Sequence, residues 1–123
     1  ITSERIEDVV ISADRNLVKE AIRILIDNSV KYTPDGGTIR LNCYKKKKKG
    51  IISVEDTGIG IAKEDLPHIF TRFYRADVSR TKDKGGTGLG LTIAKLIIDN
   101  HQGNIRVWSE PNEGTIFRIE LPL

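Results

Sequence analysis

Leu17-Val18-Lys19-Glu20-Ala21-Ile22-Arg23-Ile24-Leu25-Ile26-Asp27-Asn28-Ser29-Val30 is the stretch whose period decides the fold class. Leu17, Val18, Ala21, Ile22, Leu25, Ile26 and Val30 recur at three- and four-residue spacing, which is one apolar stripe on a helix. Asp14 stands ahead of the stripe and suits an N-cap, and Pro34 ends it. Downstream the period drops to two. Thr38 to Tyr44 alternates, and Ile51 to Glu55 is rich in β-branched residues, so both read as strands. Lys45 to Lys49 with Gly50 are expected to form the turn between them. Upstream, Val9-Val10-Ile11 reads as a short strand.

Beyond the second strand, Asp56 to Ile61 is a glycine-punctuated loop, and Asp65 to Phe70 suits a short helix. Residues 71–88 are charged and lack apolar periodicity. A loop of that length inside a compact domain is usually functional. Leu89 to Asn100 reads as a second helix with Gly103 at its C-terminal cap. Ile105 to Trp108 and Thr115 to Leu121 close the chain as a hairpin. This order is not the βαβ alternation of a doubly wound sheet. It predicts one mixed sheet with helices on one face and the other face partly exposed.

With 123 residues, 38% hydrophobic and 30% charged, the chain suits a single domain spanning 1–123 with one core. The formal charge is +3, and removing the five lysines of Lys45 to Lys49 from it leaves −2. The basic balance is therefore local and implies no general nucleic-acid surface. The run reads as a solvated hairpin tip, with contact to an acidic membrane surface as its alternative. The lone cysteine, Cys43, excludes an internal disulfide and any Cys-rich zinc site. His68 and His101 lie too far apart for a local metal motif. No apolar run approaches the ~18 residues of a membrane span. With Ile1 first and no methionine, the chain reads as a piece of a longer protein.

Two glycine clusters carry the chemistry: Asp56-Thr57-Gly58-Ile59-Gly60, and Gly85-Gly86-Thr87-Gly88-Leu89-Gly90 directly before a helix. Bare backbone N–H groups can close on an anion there, and a helix N-terminus adds positive potential. Taken singly, each cluster reads equally well as a tight turn. Neither known glycine-rich phosphate loop fits: no lysine follows Gly90, and the dinucleotide spacing is wrong. Asn28, Lys31 and Tyr32 fall within about one helical turn. An amide oxygen, an ammonium and an aromatic ring suit a metal, a phosphate and a base; alone, they also suit an ordinary helix end.

In order, Asp27-Asn28-x-x-Lys31-Tyr32, Asp56-x-Gly58-x-Gly60, Phe70-x-x-Phe73-Tyr74-Arg75 and Gly86-Thr87-Gly88-Leu89-Gly90-Leu91 resemble the N, G1, F and G2 boxes of bacterial sensor histidine kinases, in their ATP-binding catalytic domain. Gly114-Thr115-x-Phe117 resembles that family's last strand. The resemblance implies the Bergerat fold, an α/β (α+β) two-layer sandwich on a mixed, mainly antiparallel sheet. It implies that Asp56 accepts from the adenine amine. Gly58 and Gly60 let the backbone approach the base, Tyr32 lies against it, and Ile61 and Thr115 line the pocket. Asn28 is implied as a Mg²⁺ ligand and Lys31 as a phosphate contact. Gly86, Thr87, Gly88, Leu89 and Gly90 are implied at the phosphates. Residues 72–86 would form an ATP lid whose Arg75 and Arg80 reach the γ-phosphate.

The family implies ATP and Mg²⁺ as cofactors. As partners it implies the kinase's own dimerisation and phosphoacceptor domain, absent from this chain, a homodimer in the full-length kinase, and a response regulator. It also implies a cytoplasmic domain of a membrane-anchored kinase. ATPases of this fold carry a glutamate four residues before the Asn28 position as general base. Here Ile24 stands there and cannot take a proton, so hydrolysis by the domain alone should be poor. The kinases often carry a second Asn there, which Ile24 also replaces. The leading reading is a kinase catalytic domain. Its rivals are a degenerate nucleotide- or partner-binding module and an autonomous ATPase.

Overall fold

A computed structural model describes residues 2–6, 11, 13–71 and 90–123. The elements are β1 (Thr2–Ile6), α1 (Arg15–Tyr32), β2 (Ile39–Lys46), β3 (Lys49–Asp56), a 3-10 turn (Leu66–His68), α2 (Gly90–Asn100), β4 (Asn104–Glu110) and β5 (Gly114–Pro122). The strands form one sheet in the order β1-β2-β3-β5-β4. β1 runs parallel to β2, and the other neighbours are antiparallel, so the sheet is mixed and mainly antiparallel as expected. Of the expected strand at Val9-Val10-Ile11, only Ile11 is among the described residues, and it is outside any strand.

α1 starts where the sequence says. The Asp14 carboxylate accepts from the Leu17 N–H at 3.0 Å and satisfies one orphan donor of the first turn. Val18, Ala21 and Leu25 face inward and are buried with Ala94, Ile97 and Ile98 of α2 against Val54, Phe117 and Ile119 of the sheet. On β3 the even-numbered Ile52 and Val54 belong to that core. The odd-numbered residues face away, so both helices lie on one face.

The other face is covered by its own long side chains. Ile51 is only 3% exposed although neither described helix packs there. It stands between Tyr44 and Glu120 in the cross-strand register. Glu120 pairs with Lys49 and Arg106, each at 3.5 Å, and the Arg118 guanidinium lies over the Trp108 ring at 4.8 Å. These aliphatic stems and rings shield apolar sheet surface while their charged ends stay in water.

Two local expectations change. The β2–β3 turn is only Lys47-Lys48; Lys46 pairs with Lys49, and Lys45 with Gly50, inside the ladder. The register that aligns Tyr44 with Ile51 carries the strands into the lysine run. At the end of α2 the left-handed residue is Gln102, with φ 61°, not Gly103. The Gly103 N–H donates to Ile98 O at 2.9 Å and the Gln102 N–H to Asp99 O at 3.0 Å, which together make a Schellman cap. Glycine is needed at 103 for a different reason: a Cβ there would run into the Glu120 carbonyl.

His101 joins the two helices. The Asp14 N–H can only donate, so His101 Nε2 accepts it at 3.0 Å, and Nδ1–H must then donate to Ile97 O at 2.8 Å. Its role is structural. His68 ends the 3-10 turn, exposed.

Candidate nucleotide-binding site

Asp56 ends β3 and is 6% exposed. Its Oδ1 accepts from the Gly58 N–H at 2.9 Å and from the Thr115 N–H at 3.2 Å. Both bonds converge on one oxygen. Oδ2 takes none from the described residues, which makes it the candidate acceptor for a ligand.

The loop after Asp56 is bound on two sides. The Ile59 N–H donates to Tyr32 O at 3.1 Å, which ties the loop to the last turn of α1. Gly58 permits this approach: a Cβ there would meet the Tyr32 carbonyl. On the other side, the Asn112 N–H donates to Ile59 O at 2.7 Å, and the Ile61 N–H donates to Ser109 Oγ at 2.8 Å. Ser109 Oγ lies 2.9 Å from both Gly114 O and Thr115 Oγ1. Thus α1, the 56–61 loop and the β4–β5 hairpin are held together around Asp56. Replacing Gly58 with Ala should cost about 1–3 kcal/mol of stability by overpacking against Tyr32 O, read as a lower urea midpoint, and should weaken nucleotide binding with it.

The anticipated residues divide as follows. Asp56, Gly58, Gly60 and Thr115 are buried and Ile61 is half-buried; Asp56 accepts from Gly58 and Thr115, Ile61 donates to Ser109, and Ile59 ties the loop to Tyr32. Asn28 and Tyr32 are half-buried on α1, and Lys31 is exposed on its last turn. Among the described residues the Asn28 amide has no hydrogen-bond partner. Asp27, beside it, turns to solvent and pairs with Arg23 at 2.7 Å. Gly90 opens α2, and a Cβ there would lie 3.5 Å from Ile24 Cγ2. The start of α2 therefore abuts α1 one turn before Asn28. Arg75, Arg80, Gly86, Thr87, Gly88, Leu89 and the 72–86 lid lie outside the described residues. Ser109 is the residue that sequence reasoning missed; one serine in a strand carries no pattern.

A hydrogen bond from Arg23 holds Glu20 below its usual carboxylate range, and Glu20 in turn raises Arg23. Both are exposed on the outside of α1, where such pairs contribute little.

The residues fit magnesium in one way only. Among the described residues no group of three or more His, Cys, Asp or Glu could hold a metal. Asn28 offers one amide oxygen, and Ile24 offers none. Mg²⁺ accepts such a site when phosphates and waters supply its other ligands.

Asp56 at a strand end, a glycine loop closed on α1 and the start of α2 beside that helix stand together at the candidate site. The sequence family described as "Histidine kinase-, DNA gyrase B-, and HSP90-like ATPase" matches residues 13–123. The chain belongs to that family. The sensor protein SrrB of Staphylococcus aureus strain NCTC 8325 is 45% identical over 111 residues, covering 90% of this chain and 19% of that protein. The chain thus spans about a fifth of the curated relatives it matches. The mycobacterial sensor histidine kinase MprB superposes with a TM-score of 0.86 at 25% identity, over 98% of this chain and 82% of that one. The catalytic domain of histidine kinase ThkA does so at 0.83 and 29% identity, over 98% and 78%. The kinase-family domain described here is therefore an ATP-binding domain of the histidine-kinase type, with the family's α/β sandwich. No helix among the described residues is long and apolar enough to cross a membrane.

Proposed function

We propose that residues 1–123 form a single catalytic domain that holds Mg·ATP and presents the γ-phosphoryl to a histidine on a separate dimerisation domain of the same kinase. The observation that carries this reading is the open Oδ2 of buried Asp56, an acceptor suited to the exocyclic amine of adenine. Gly60, Ile61 and Thr115 would line the base pocket, and Tyr32 would lie against the ring. Lys31 and the N-terminus of α2 at Gly90 would face the phosphates. A full-length kinase, ShkA, solved in complex with AMPPNP superposes at a TM-score of 0.81 and 26% identity, which supports a nucleotide here.

Asn28 would hold Mg²⁺, and the ion would neutralise charge on the phosphates. In the transfer, the bond between the γ-phosphorus and the β–γ bridging oxygen breaks, and a bond to the acceptor imidazole nitrogen forms. ADP leaves. This chain's own residues bind, orient and neutralise, which is most of what phosphoryl transfer needs. Ile24 offers no base for water, so transfer to an external histidine is favoured over autonomous hydrolysis. A response regulator, a homodimer and a membrane-anchored, cytoplasmic setting follow from the same reading.

The test is the metal dependence of binding. Asn28→Ala should weaken ATP by about tenfold or more with Mg²⁺ present, the size of one lost ligand contact. In EDTA, mutant and parent should nearly coincide, because the lost contact runs through the ion. A mutant equal to the parent in Mg²⁺ removes Asn28 from the ligand set.

A further inference from the structure

We infer that the β2–β3 hairpin tip is a docking surface for an anionic phospholipid membrane. Lys45, Lys46, Lys47, Lys48 and Lys49 are all exposed at this tip. Lys46 and Lys49 face each other across the ladder, where like charges repel. The turn itself breaks the local rule: Lys47 takes φ 59°, the left-handed region where a two-residue hairpin favours glycine. Glu120 offsets charge at Lys49, and the turn keeps backbone strain at Lys47 that a glycine there would avoid. Places where a sequence breaks local preference are expected to be functional or strained. An anionic surface would offset the remaining positive charge.

The chemistry of the tip selects the partner. It is convex and made of lysines, mobile point charges that need no fixed geometry. A planar, fluid array of phosphates and carboxylates suits it, whereas nucleic acid is gripped by grooves with interleaved aromatics. Leu123, 46% exposed, is pinned beside the turn by its N–H bond to Lys48 O at 3.1 Å and adds an apolar contact to the basic one. The tip lies at the start of β3 and Asp56 at its end, about 23 Å apart at strand spacing. A docked membrane would leave the nucleotide pocket open.

The experiment is vesicle co-sedimentation of the 123-residue chain. The probes are pure phosphatidylcholine vesicles and vesicles with about 30 mol% phosphatidylserine. The chain should bind the anionic vesicles alone and be released as salt rises from about 0.05 to about 0.5 M. Replacing Lys46, Lys47, Lys48 and Lys49 with Gln should lower the partition coefficient by about a thousandfold, and replacing them with Arg should preserve it. Thermal melts by circular dichroism check that both variants fold. Because the salt series uses the parent chain, a variant that fails to fold leaves the test intact. No binding to the anionic vesicles at low salt, equal binding to neutral ones, or tighter binding to a mixed-sequence single-stranded oligonucleotide would each overturn the proposal.

Discussion

Asp56→Asn should weaken ATP and ADP by about tenfold or more while leaving the chain folded. The asparagine keeps a carbonyl oxygen where Oδ1 now accepts from Gly58 N–H and Thr115 N–H. The loop and hairpin therefore stay clamped. The amide NH₂ takes the place of Oδ2, and two donors would then face each other at the proposed place of the adenine amine. Losing a hydrogen bond to a charged group costs about 1.5–3 kcal/mol, which is tenfold or more in affinity. Asp56→Ala should behave differently. It strands both backbone donors in a buried position and should lower stability as well, by about 1–3 kcal/mol. Calorimetric titration of both variants beside urea unfolding separates the two effects. The same geometry demands that the parent prefer ATP over GTP, because guanine places a carbonyl where adenine has its amine. Superimposable ATP and GTP titrations would remove Asp56 from base recognition.

Much of this architecture could be read from residue order. The helix and its cap at Asp14 depend on near neighbours, so periodicity exposed them, although Leu17 and Val30 at the ends of the stripe are exposed. The strands after the helix were legible for the same reason. What escaped depended on partners distant in sequence. Nothing near Gly103 reveals that Glu120 O will approach it, so its need for glycine was assigned to the wrong cause. The turn at Lys47-Lys48 is set by the pairing of Tyr44 with Ile51, which outweighs the turn preference of Gly50. Ser109 links the 56–61 loop to the hairpin through bonds to Ile61 and to Gly114 or Thr115, with no spacing to announce it. At the candidate site, the first glycine box lies in the loop that closes on α1, and the second lies outside the described residues except for Gly90. Which Asp56 oxygen is occupied and which is open required coordinates.

The second large effect is all-or-none. Incubated alone with labelled Mg·ATP, this chain should acquire no phosphate and release almost none. On the proposed reading it would offer a nucleotide pocket, one metal ligand and positive charge, which supply binding and some transition-state stabilisation. A general base is missing at the position one turn before Asn28, where Ile24 packs beside the start of α2. Neither histidine suits as nucleophile: both ring nitrogens of His101 are committed to backbone groups, and His68 lacks an acceptor motif. The decisive measurement adds the kinase's own helical dimerisation domain in trans with [γ-³²P]ATP and follows acid-labile, base-stable phosphate on each chain. Label should appear on a histidine of the added domain, slowly because the tether's effective concentration is lost, and vanish with Asp56→Asn. Stoichiometric label on the 123-residue chain itself, or steady phosphate release approaching about 1 per second without the partner, would contradict the account.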